Sequence, residues 1–591
     1  MRRLRVLLSI GFRADARVSA AAFGFAIVSS IAGPLVAVWL ASLVDAAAAE
    51  DVTSATVAAG ALAMFWAVNV VAGEYSIHAG WSLHVHIIRL VLTELFEVSG
   101  RVPTIELHER PDVADRVDLV RKSVLPLAYA TTTTVWAVSI VIRLTIVVVV
   151  LFGVDPALAF LPLLGVPCLL AAGWAQRARQ QAREELVQDE RLSEHLFTLG
   201  TTPGPGKELR IFQLANEISG RHRGLRLGIL TRERRVEARA TLATSLGWLG
   251  YAIGYAGAIV FVTFLAVDGQ ATIGDVLLVI ALSGQIQEEL GSAYGLIGEF
   301  VETMRTVDHY LWLRDYADRA MARRPPASPV PEKLREGIRF EGVSFRYPGT
   351  EVEVLRDVDL TIPAGNALAV VGVNGAGKTT LAKLLAGFYE PTQGRITVDG
   401  VDLRDLDLDS WRQRISACFQ DFVQFQYLAR ESVGLGDLPR IEDEPSVRTA
   451  LGHASAGDVV EHLPDGLGTL IGKEYGDGVE LSIGQWQKLA LGRAMMREEP
   501  LLLILDEPTA SLDAYTEHAI FERYAQASER SGQEIGAITV LISHRFSTVR
   551  MADLVVVLEA GQVAQTGTHD ELAGAPGPYR ELYEIQSRAY R

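Results

Sequence analysis

Cysteine is scarce in this chain of 591 residues, which contains only Cys168 and Cys418. One lies in an apolar stretch and the other in the more polar C-terminal half, so a disulfide framework is excluded and packing is the expected role of both thiols. An excess of positive charge is also lacking, since 55 basic residues stand against 71 acidic ones for a formal charge of -16. Nucleic-acid backbones attract clustered cations, so this balance argues against a DNA or RNA partner.

Two long intervals lack basic residues altogether. Neither Lys nor Arg occurs between Val18 and Ile88 or between Ala240 and Met304. At about 1.5 Å per residue, each interval is long enough to cross a bilayer of about 30 Å twice as helices. The first apolar run extends to about Val44, which is too long for a signal peptide, so a retained membrane helix is expected. The two intervals therefore predict two helical hairpins in lipid.

Apolar stretches predict six membrane helices in all. The short connections between them carry no Lys or Arg, whereas the long connections, around 83–125 and 176–239, are rich in Arg. The positive-inside rule therefore predicts that both long connections and both termini are cytoplasmic, in a multi-pass protein of the cell membrane. The predicted helices lie near residues 18–45, 54–82, 126–152, 155–175, 240–267 and 273–300.

A proline-rich segment separates the membrane half from the rest. Residues 322–331 read Ala-Arg-Arg-Pro-Pro-Ala-Ser-Pro-Val-Pro, which cannot hold a regular helix. Beyond it, apolar runs alternate with helical patterns, as is typical of a mostly parallel, buried sheet. We predict an all-α transmembrane domain over 1–320, a linker over 321–335 and an α/β domain over 336–591. The predicted strands cover 367–373, 501–506, 538–543 and 554–558.

A glycine-rich motif follows the first of these strands. Residues 372–380 read Gly-Val-Asn-Gly-Ala-Gly-Lys-Thr-Thr and open a predicted helix, which is the context a P-loop requires. Its backbone N–H groups would face the phosphates, Lys378 would neutralise the β and γ oxygens, and Thr379 would offer its hydroxyl to Mg²⁺. The motif predicts an ATP site formed by Gly372, Asn374, Gly375, Gly377, Lys378, Thr379 and Thr380.

Two carboxylates end a later apolar run. Asp506 and Glu507 follow five aliphatic residues, and buried acids are costly unless a cation or a reaction uses them. We predict that Asp506 holds Mg²⁺ through water and that Glu507 polarises the attacking water as the catalytic base. His544 follows another run, at the sheet edge where such folds bind ligands, and is predicted to be catalytic. The alternatives are that the two acids only cap a strand and that the histidine is solitary and has no function.

A motif between the P-loop and the two carboxylates indicates a family. Residues 481–487 read Leu-Ser-Ile-Gly-Gln-Trp-Gln, so the chain resembles the ABC transporter ATPases, whose signature is LSGGQ. The family usually has glycine where Ile483 stands. The resemblance implies that Ser482, Gly484 and Gln485 contact ATP bound to a second subunit, through the positive end of the helix that Ser482 caps.

The resemblance covers essentially the full length and extends to smaller elements. It implies that Tyr347 stacks on adenine, that Gln420 is the Q-loop residue serving both catalysis and Mg²⁺, and that Asp513 belongs to the D-loop. It also implies an exporter-type half-transporter, with a six-helix transmembrane domain and an α/β P-loop nucleotide-binding domain. The segment 474–480 is similar to the peptide and lantibiotic exporters of this family.

Several polar residues fall at predicted membrane depth and are candidates for the substrate cavity. If the acids face the cavity, a cationic peptide or drug is favoured; the alternative is that these residues pair with one another or lie beyond the membrane surface. In the resembled architecture, coupling helices near 109–115 and 206–212 would contact the ATPase domains. The cavity candidates are Glu74, Arg143, Glu288 and Glu289.

These observations predict a translocase in the bilayer that hydrolyses ATP with Mg²⁺ and exports a peptide, drug or amphipathic natural product by alternating access. A homodimer is expected, because closed homodimers are the commonest oligomers. A heterodimer with a homologous half-transporter, and an importer, for instance of a siderophore, on the same scaffold remain alternatives. The membrane helices argue against an ABC ATPase of translation or repair.

Overall fold

The computed structural model describes residues 2–102, 104–122, 124–322, 328–474, 476–508, 532–543 and 545–589. The chain divides into two compact units: one comprises Met1–Val98 and Arg116–Asp315, and the other comprises Ser99–Asp115 and Tyr316–Arg591. Part of the predicted linker, residues 323–327, lies outside the described residues.

Long helices make up the membrane half. The boundary between the first two helices follows from Asp15, whose carboxylate accepts hydrogen bonds from the backbone N–H groups of Arg17 and Val18 and so caps the second helix. A 3-10 helix, Leu158–Gly165, precedes the seventh helix. Helices α1 to α10 span Arg2–Ala14, Ala16–Ala48, Val52–Arg101, Glu106–Glu109, Pro111–Lys122, Val124–Val154, Val166–Thr201, Gly206–Ile211, Ala215–Val267 and Ile273–Ala322.

Five helical segments of the described residues are long and apolar enough to cross a membrane. Large aliphatic side chains on them, such as Val141 and Ile253, are exposed, as lipid-facing side chains are. The sixth predicted span is also helical, but the polar run Gln285 to Glu289 interrupts its apolar part. The five segments are Ala16–Ala48, Val52–Arg101, Val124–Val154, Leu158–Thr201 and Ala215–Val267.

Two sheets form the framework of the second unit, as far as its residues are described. The larger has the order β10-β9-β3-β8-β7-β6, with every neighbouring pair parallel except β10 with β9. The smaller has the order β2-β1-β4-β5 and is antiparallel. Strands β1 to β10 span Gly337–Arg346, Glu353–Pro363, Ala367–Val371, Gln393–Val398, Val401–Asp402, Ile415–Cys418, Leu502–Asp506, Ile538–Ile542, Leu554–Glu559 and Gln562–Gly567.

Helices cover the larger sheet on both sides and its central strands are buried, which accounts for their continuous apolar runs. The core includes Trp411, whose indole N–H donates to the Leu385 carbonyl at 3.0 Å. The helices α11 to α16 span Lys378–Leu385, Leu408–Gln413, Ala429–Gly434, Glu444–His453, Gly457–Glu461 and Ile483–Ala494, and later helices span Phe546–Val549, His569–Gly574 and Pro578–Ala589.

The segment Ser99–Asp115 belongs to the second unit, although the sequence-based boundary placed it in the transmembrane domain. Ile105 packs against the core of that unit. The Glu109 carboxylate, at the end of α4, accepts a hydrogen bond of 2.6 Å from Lys383 Nζ and another from the Tyr389 hydroxyl. These contacts join residues that are more than 270 positions apart in sequence, so local pattern could not predict them.

Candidate functional site

The P-loop leaves the sheet at the end of β3. Gly372 has φ 155° and Gly377 has φ 102°, both in the left-handed region that favours glycine. A Cβ at Gly372 would lie 2.3 Å from the Leu558 carbonyl oxygen, and one at Gly377 would lie 2.7 Å from Leu355 Cδ2. Only glycine therefore allows the loop to curl at these two positions. Strand β3 ends at Val371, two residues earlier than predicted. Helix α11 begins directly after Gly377, at Lys378.

Lys378 is held against its own loop. Its Nζ donates to the carbonyl oxygens of Gly372 at 2.9 Å and Val373 at 3.1 Å. Burial lowers the pKa of this ammonium group, while the nearby carboxylates of Glu507 and Asp506 act in the opposite direction. A positive charge is thus fixed at the mouth of the loop, where a phosphate would need it.

Asp506 ends β7 and is only 1% exposed. Neither carboxylate oxygen forms a hydrogen bond of standard geometry with a described residue. Burial raises the pKa of Asp506, with Glu507 adding to the effect, although the neighbouring Thr379 hydroxyl and Lys378 ammonium oppose it. A buried carboxylate of this kind fits a hard cation that takes oxygen ligands.

Asp506 and the Thr379 hydroxyl could together hold Mg²⁺. The described residues contain no group of three or more His, Cys, Asp or Glu side chains arranged to hold a metal. Mg²⁺ is usually bound by one or two protein ligands together with substrate phosphates and water, so these two side chains would be a sufficient protein contribution.

Glu507 adopts φ 46°, which is uncommon outside glycine. Its backbone N–H donates to the Ile542 carbonyl at 2.9 Å, and its carboxylate accepts a hydrogen bond of 3.0 Å from Gln420 Nε2. Gln420 comes just after β6, so the two side chains meet at the carboxyl edge of the sheet. Sequence reasoning assigned no role to Gln487, whose amide reaches the Glu507 carbonyl oxygen at 3.4 Å. The position of Gln487 in α16, the helix that the signature motif opens, was the signal that could have indicated this role.

Tyr347 is oriented by four neighbours. Its hydroxyl lies 2.9 Å from Thr380 Oγ1, and its ring meets those of Phe345 and Tyr389 edge to face. The Lys383 ammonium lies 5.6 Å from the ring centroid, within cation–π range. Sequence patterns did not point to a role for Lys383 either, although this residue follows Thr379 by one helical turn on α11. This lysine thus contacts both Tyr347 and Glu109.

The signature motif opens α16. Ser482 Oγ accepts from the backbone N–H of Gln485 at 3.3 Å, and the Gln485 side chain accepts from the backbone N–H of Ser482 at 2.9 Å, which forms a capping box. Ile483 is 64% exposed, and Gly484 is partly exposed beside it. The positive end of this helix therefore lies at the surface of the chain.

The structure thus brings together Lys378, Thr379, Gln420, Asp506 and Glu507. Tyr347 joins them through Thr380. Gly372, Asn374, Gly375 and Gly377 form the adjoining loop. The predicted residues His544 and Asp513 lie outside the described residues.

The candidate cavity residues separate into two groups. Arg143 Nη1 and Glu289 Oε1 form an ion pair at 2.6 Å, and Glu289 is 5% exposed. Beside the pair, Gln285 Nε2 donates to the carbonyl of Gly33 at 3.2 Å. Arg143 therefore offsets the charge of Glu289. Glu74 and Glu288, in contrast, are exposed.

Residues 355–510 match the sequence model of the family described as ABC transporter. A solved structure described as "Structure of a bacterial Atm1-family ABC exporter with ATP bound" matches with a TM-score of 0.72 over 99% of this chain and 98% of that chain, at 22% identity. The chain therefore carries an ABC-transporter ATP-binding domain and has the fold of an ABC exporter half-transporter. The predicted ATP-binding domain and fold class are confirmed, and the long apolar helices indicate a membrane protein.

Named relatives share parts of the chain. "ATP-dependent lipid A-core flippase" of Chromohalobacter salexigens is 39% identical over 272 residues, 45% of each chain, and that of Alcanivorax borkumensis is 33% identical over 381 residues, 64% of this chain and 62% of the relative. "Subtilin transport ATP-binding protein SpaT" of Bacillus subtilis is 28% identical over 386 residues, 64% of this chain and 60% of the relative. The chain thus matches 45% to 62% of the length of these relatives.

Proposed function

We propose that this chain is one half of a homodimeric exporter that hydrolyses ATP to move a peptide, drug or other amphipathic natural product across the cell membrane by alternating access. The observation that carries the proposal is the assembly of Lys378, Asp506 and Glu507 at one sheet edge of a chain with the exporter fold. The names of the relatives, lipid A-core flippase and subtilin transport, support export but point to two different cargoes.

In the proposed reaction the chain positions ATP rather than forming covalent bonds to it. Lys378 and the loop N–H groups hold the phosphates, and Tyr347 stacks on the adenine. Glu507, held by Gln420, orients the attacking water and accepts its proton. Asp506, Thr379 and Gln420 would hold Mg²⁺, which would supply charge neutralisation at the β and γ oxygens.

A second copy would complete each ATP site. The exposed start of α16 would face the γ-phosphate bound to the partner, where a helix N-terminus favours negative charge. The short helix α8 carries the exposed apolar side chain Ile211 and ends beside Phe212, also exposed, and these would be covered by another subunit.

Coupling to the membrane would run through Glu109 of α4. This carboxylate is paired with Lys383 on α11, the helix that follows the P-loop, and Lys383 also lies over the Tyr347 ring. A shift of the P-loop helix on ATP binding would therefore move α4. We further propose that all six long helices span the membrane, with the ATP-binding domain and both termini in the cytoplasm.

The test is ATP hydrolysis by the purified chain reconstituted in lipid. Glu507→Gln is expected to lower the rate by on the order of 100-fold or more while ATP binding persists, because a general base contributes about that factor. The matched control is Glu559→Gln, since Glu559 also ends a strand of the same sheet but is exposed. Absence of hydrolysis by the intact, folded chain alone would contradict the homodimer and favour a heterodimer.

Direction is tested in the same vesicles. With ATP supplied only outside, chains whose ATP-binding domains face outward are the active ones, so an exporter accumulates substrate inside the vesicle. Release of preloaded substrate under these conditions would favour the importer instead.

A further inference from the structure

Within the first unit, a cavity of about 360 Å³ opens between helices α2, α3, α6 and α10. Its walls combine aromatic, aliphatic and hydroxyl side chains, and its described lining residues include no Lys, Arg, Asp or Glu. The aromatic side chains come from two helices: Trp81 and His84 from α3, and Tyr129 and Trp136 from α6. An anionic ligand would find no counter-charge in this lining.

His84 is the buried polar group of the cavity. It is 9% exposed, its Nε2 lies 2.8 Å from Thr132 Oγ1, and its Nδ1 has no hydrogen-bond partner among the residues that the structure describes. The Thr132 hydroxyl donates its hydrogen to the Tyr129 carbonyl at 2.8 Å. With that hydrogen on the carbonyl, Thr132 Oγ1 accepts from His84, which assigns the ring hydrogen to Nε2 and leaves Nδ1 as an acceptor without a partner among the described residues. A buried acceptor without a partner is costly, so a ligand that donates to it is favoured.

Aromatic rings surround this acceptor. The His84 ring lies 5.8 Å from the ring of Trp81 and 4.4 Å from that of Tyr129, both in edge-on geometry. Trp136, one turn beyond Thr132 on α6, lines the same cavity. Faces of tryptophan and tyrosine rings attract cations, most strongly away from bulk water.

We propose that this cavity binds the head group of a primary or secondary alkylammonium compound, which would be the class of cargo if the proposed export function holds. The ammonium N–H would donate to His84 Nδ1, its charge would lie against the rings of Trp81 and Tyr129, and its apolar body would follow Ile77 and Leu296. A quaternary ammonium has the charge but no N–H group. An alcohol has the donor but no charge.

The test is binding to the full chain in lipid nanodiscs at neutral pH without nucleotide, by equilibrium dialysis corrected with empty nanodiscs. The probes are phenylbutylammonium, its trimethylammonium analogue and phenylbutanol. We expect the primary ammonium to bind at least about 10-fold more tightly than either of the others, since a hydrogen bond to a charged group contributes about that factor. Equal or tighter binding of the trimethyl analogue overturns the role of Nδ1, and equal binding of the alcohol overturns the role of the rings.

His84→Phe keeps a ring in place but removes both nitrogens, so the preference for the primary over the trimethylammonium probe is expected to disappear. His78→Phe is the matched control, because His78 lies on the same helix but is exposed and outside the lining. The comparison of probes on the unmodified chain stands even if His84→Phe does not fold. A chain that binds the amine selectively but never hydrolyses ATP would overturn the proposed function and leave the site intact.

Discussion

Replacing Asp506 by Asn is expected to stabilise the nucleotide-free chain while removing the proposed ATPase activity. The carboxylate is buried, neither oxygen has a hydrogen bond of standard geometry from a described residue, and the pKa is raised because burial outweighs the nearby Lys378. The ionised form is therefore the unfavourable one in the folded chain. Asparagine has nearly the same shape and no charge, so it keeps the packing and removes this cost.

The size of the gain follows from what remains unsatisfied. A buried neutral amide without partners costs roughly 1–3 kcal/mol, and a charged group costs more, so the net gain is on the order of 1–2 kcal/mol. In a domain of this size that corresponds to a rise of about 2–8 °C in the unfolding midpoint. Because the pKa is raised, the advantage over Asp506 is absent below the ordinary value of 3.8, grows as pH rises through it, and is complete above the raised pKa.

The assay is thermal unfolding of the full chain with and without Mg²⁺ and a non-hydrolysable ATP analogue. Ligand at about 100 times its Kd stabilises a protein by about 2.7 kcal/mol, so ligand should reverse the order of the two midpoints if Asp506 holds the metal. Asp399→Asn is the matched control with the opposite sign, because Asp399 accepts from the backbone N–H groups of Arg335, Glu336 and Gly337. A lower midpoint for Asp506→Asn without ligand would refute the reasoning.

Three further predictions concern other contacts. Glu109→Gln and Lys383→Met should each lower the unfolding midpoint. A double-mutant cycle should show a coupling free energy of about 0.5–3 kcal/mol between the two side chains, and additive effects of the two substitutions would argue against their ion pair. Gly377→Ala, at φ 102°, should weaken ATP binding about 10-fold or more in equilibrium binding. Glu289→Gln should destabilise the chain by about 3–5 kcal/mol, because it leaves Arg143 without its partner carboxylate. The unfolding midpoint should recover when Arg143→Gln is added to this variant.

Much of the candidate ATP site could be predicted from sequence because its parts are local. The P-loop is recognisable because Gly372 and Gly377 must adopt positive φ, and Lys378 follows directly. Asp506 and Glu507 are recognisable because they end an apolar strand. Each of these signals lies within a few residues of the group it predicts, and parallel strands bring their carboxyl ends to one edge.

Contacts between distant segments could not be predicted in this way. Arg143 and Glu289 were both candidates for the cavity, but their ion pair joins positions 146 residues apart. Likewise, the charges around Glu109 could have been simple solvation of a cytoplasmic helix. Sequence patterns show that such groups lie on helices, but the partner depends on how those helices pack.

The sequence by itself determined the two domain types, the long apolar helices, the parallel sheet and the order of the nucleotide motifs, because side-chain periodicity and glycine conformation act locally. Only the tertiary structure decided that Ser99–Asp115 packs with the ATP-binding domain and that His84, among aromatic rings, has a nitrogen that no described residue pairs. Both depend on which side chains meet across helices, and that is set by packing of the whole unit rather than by any short stretch of sequence.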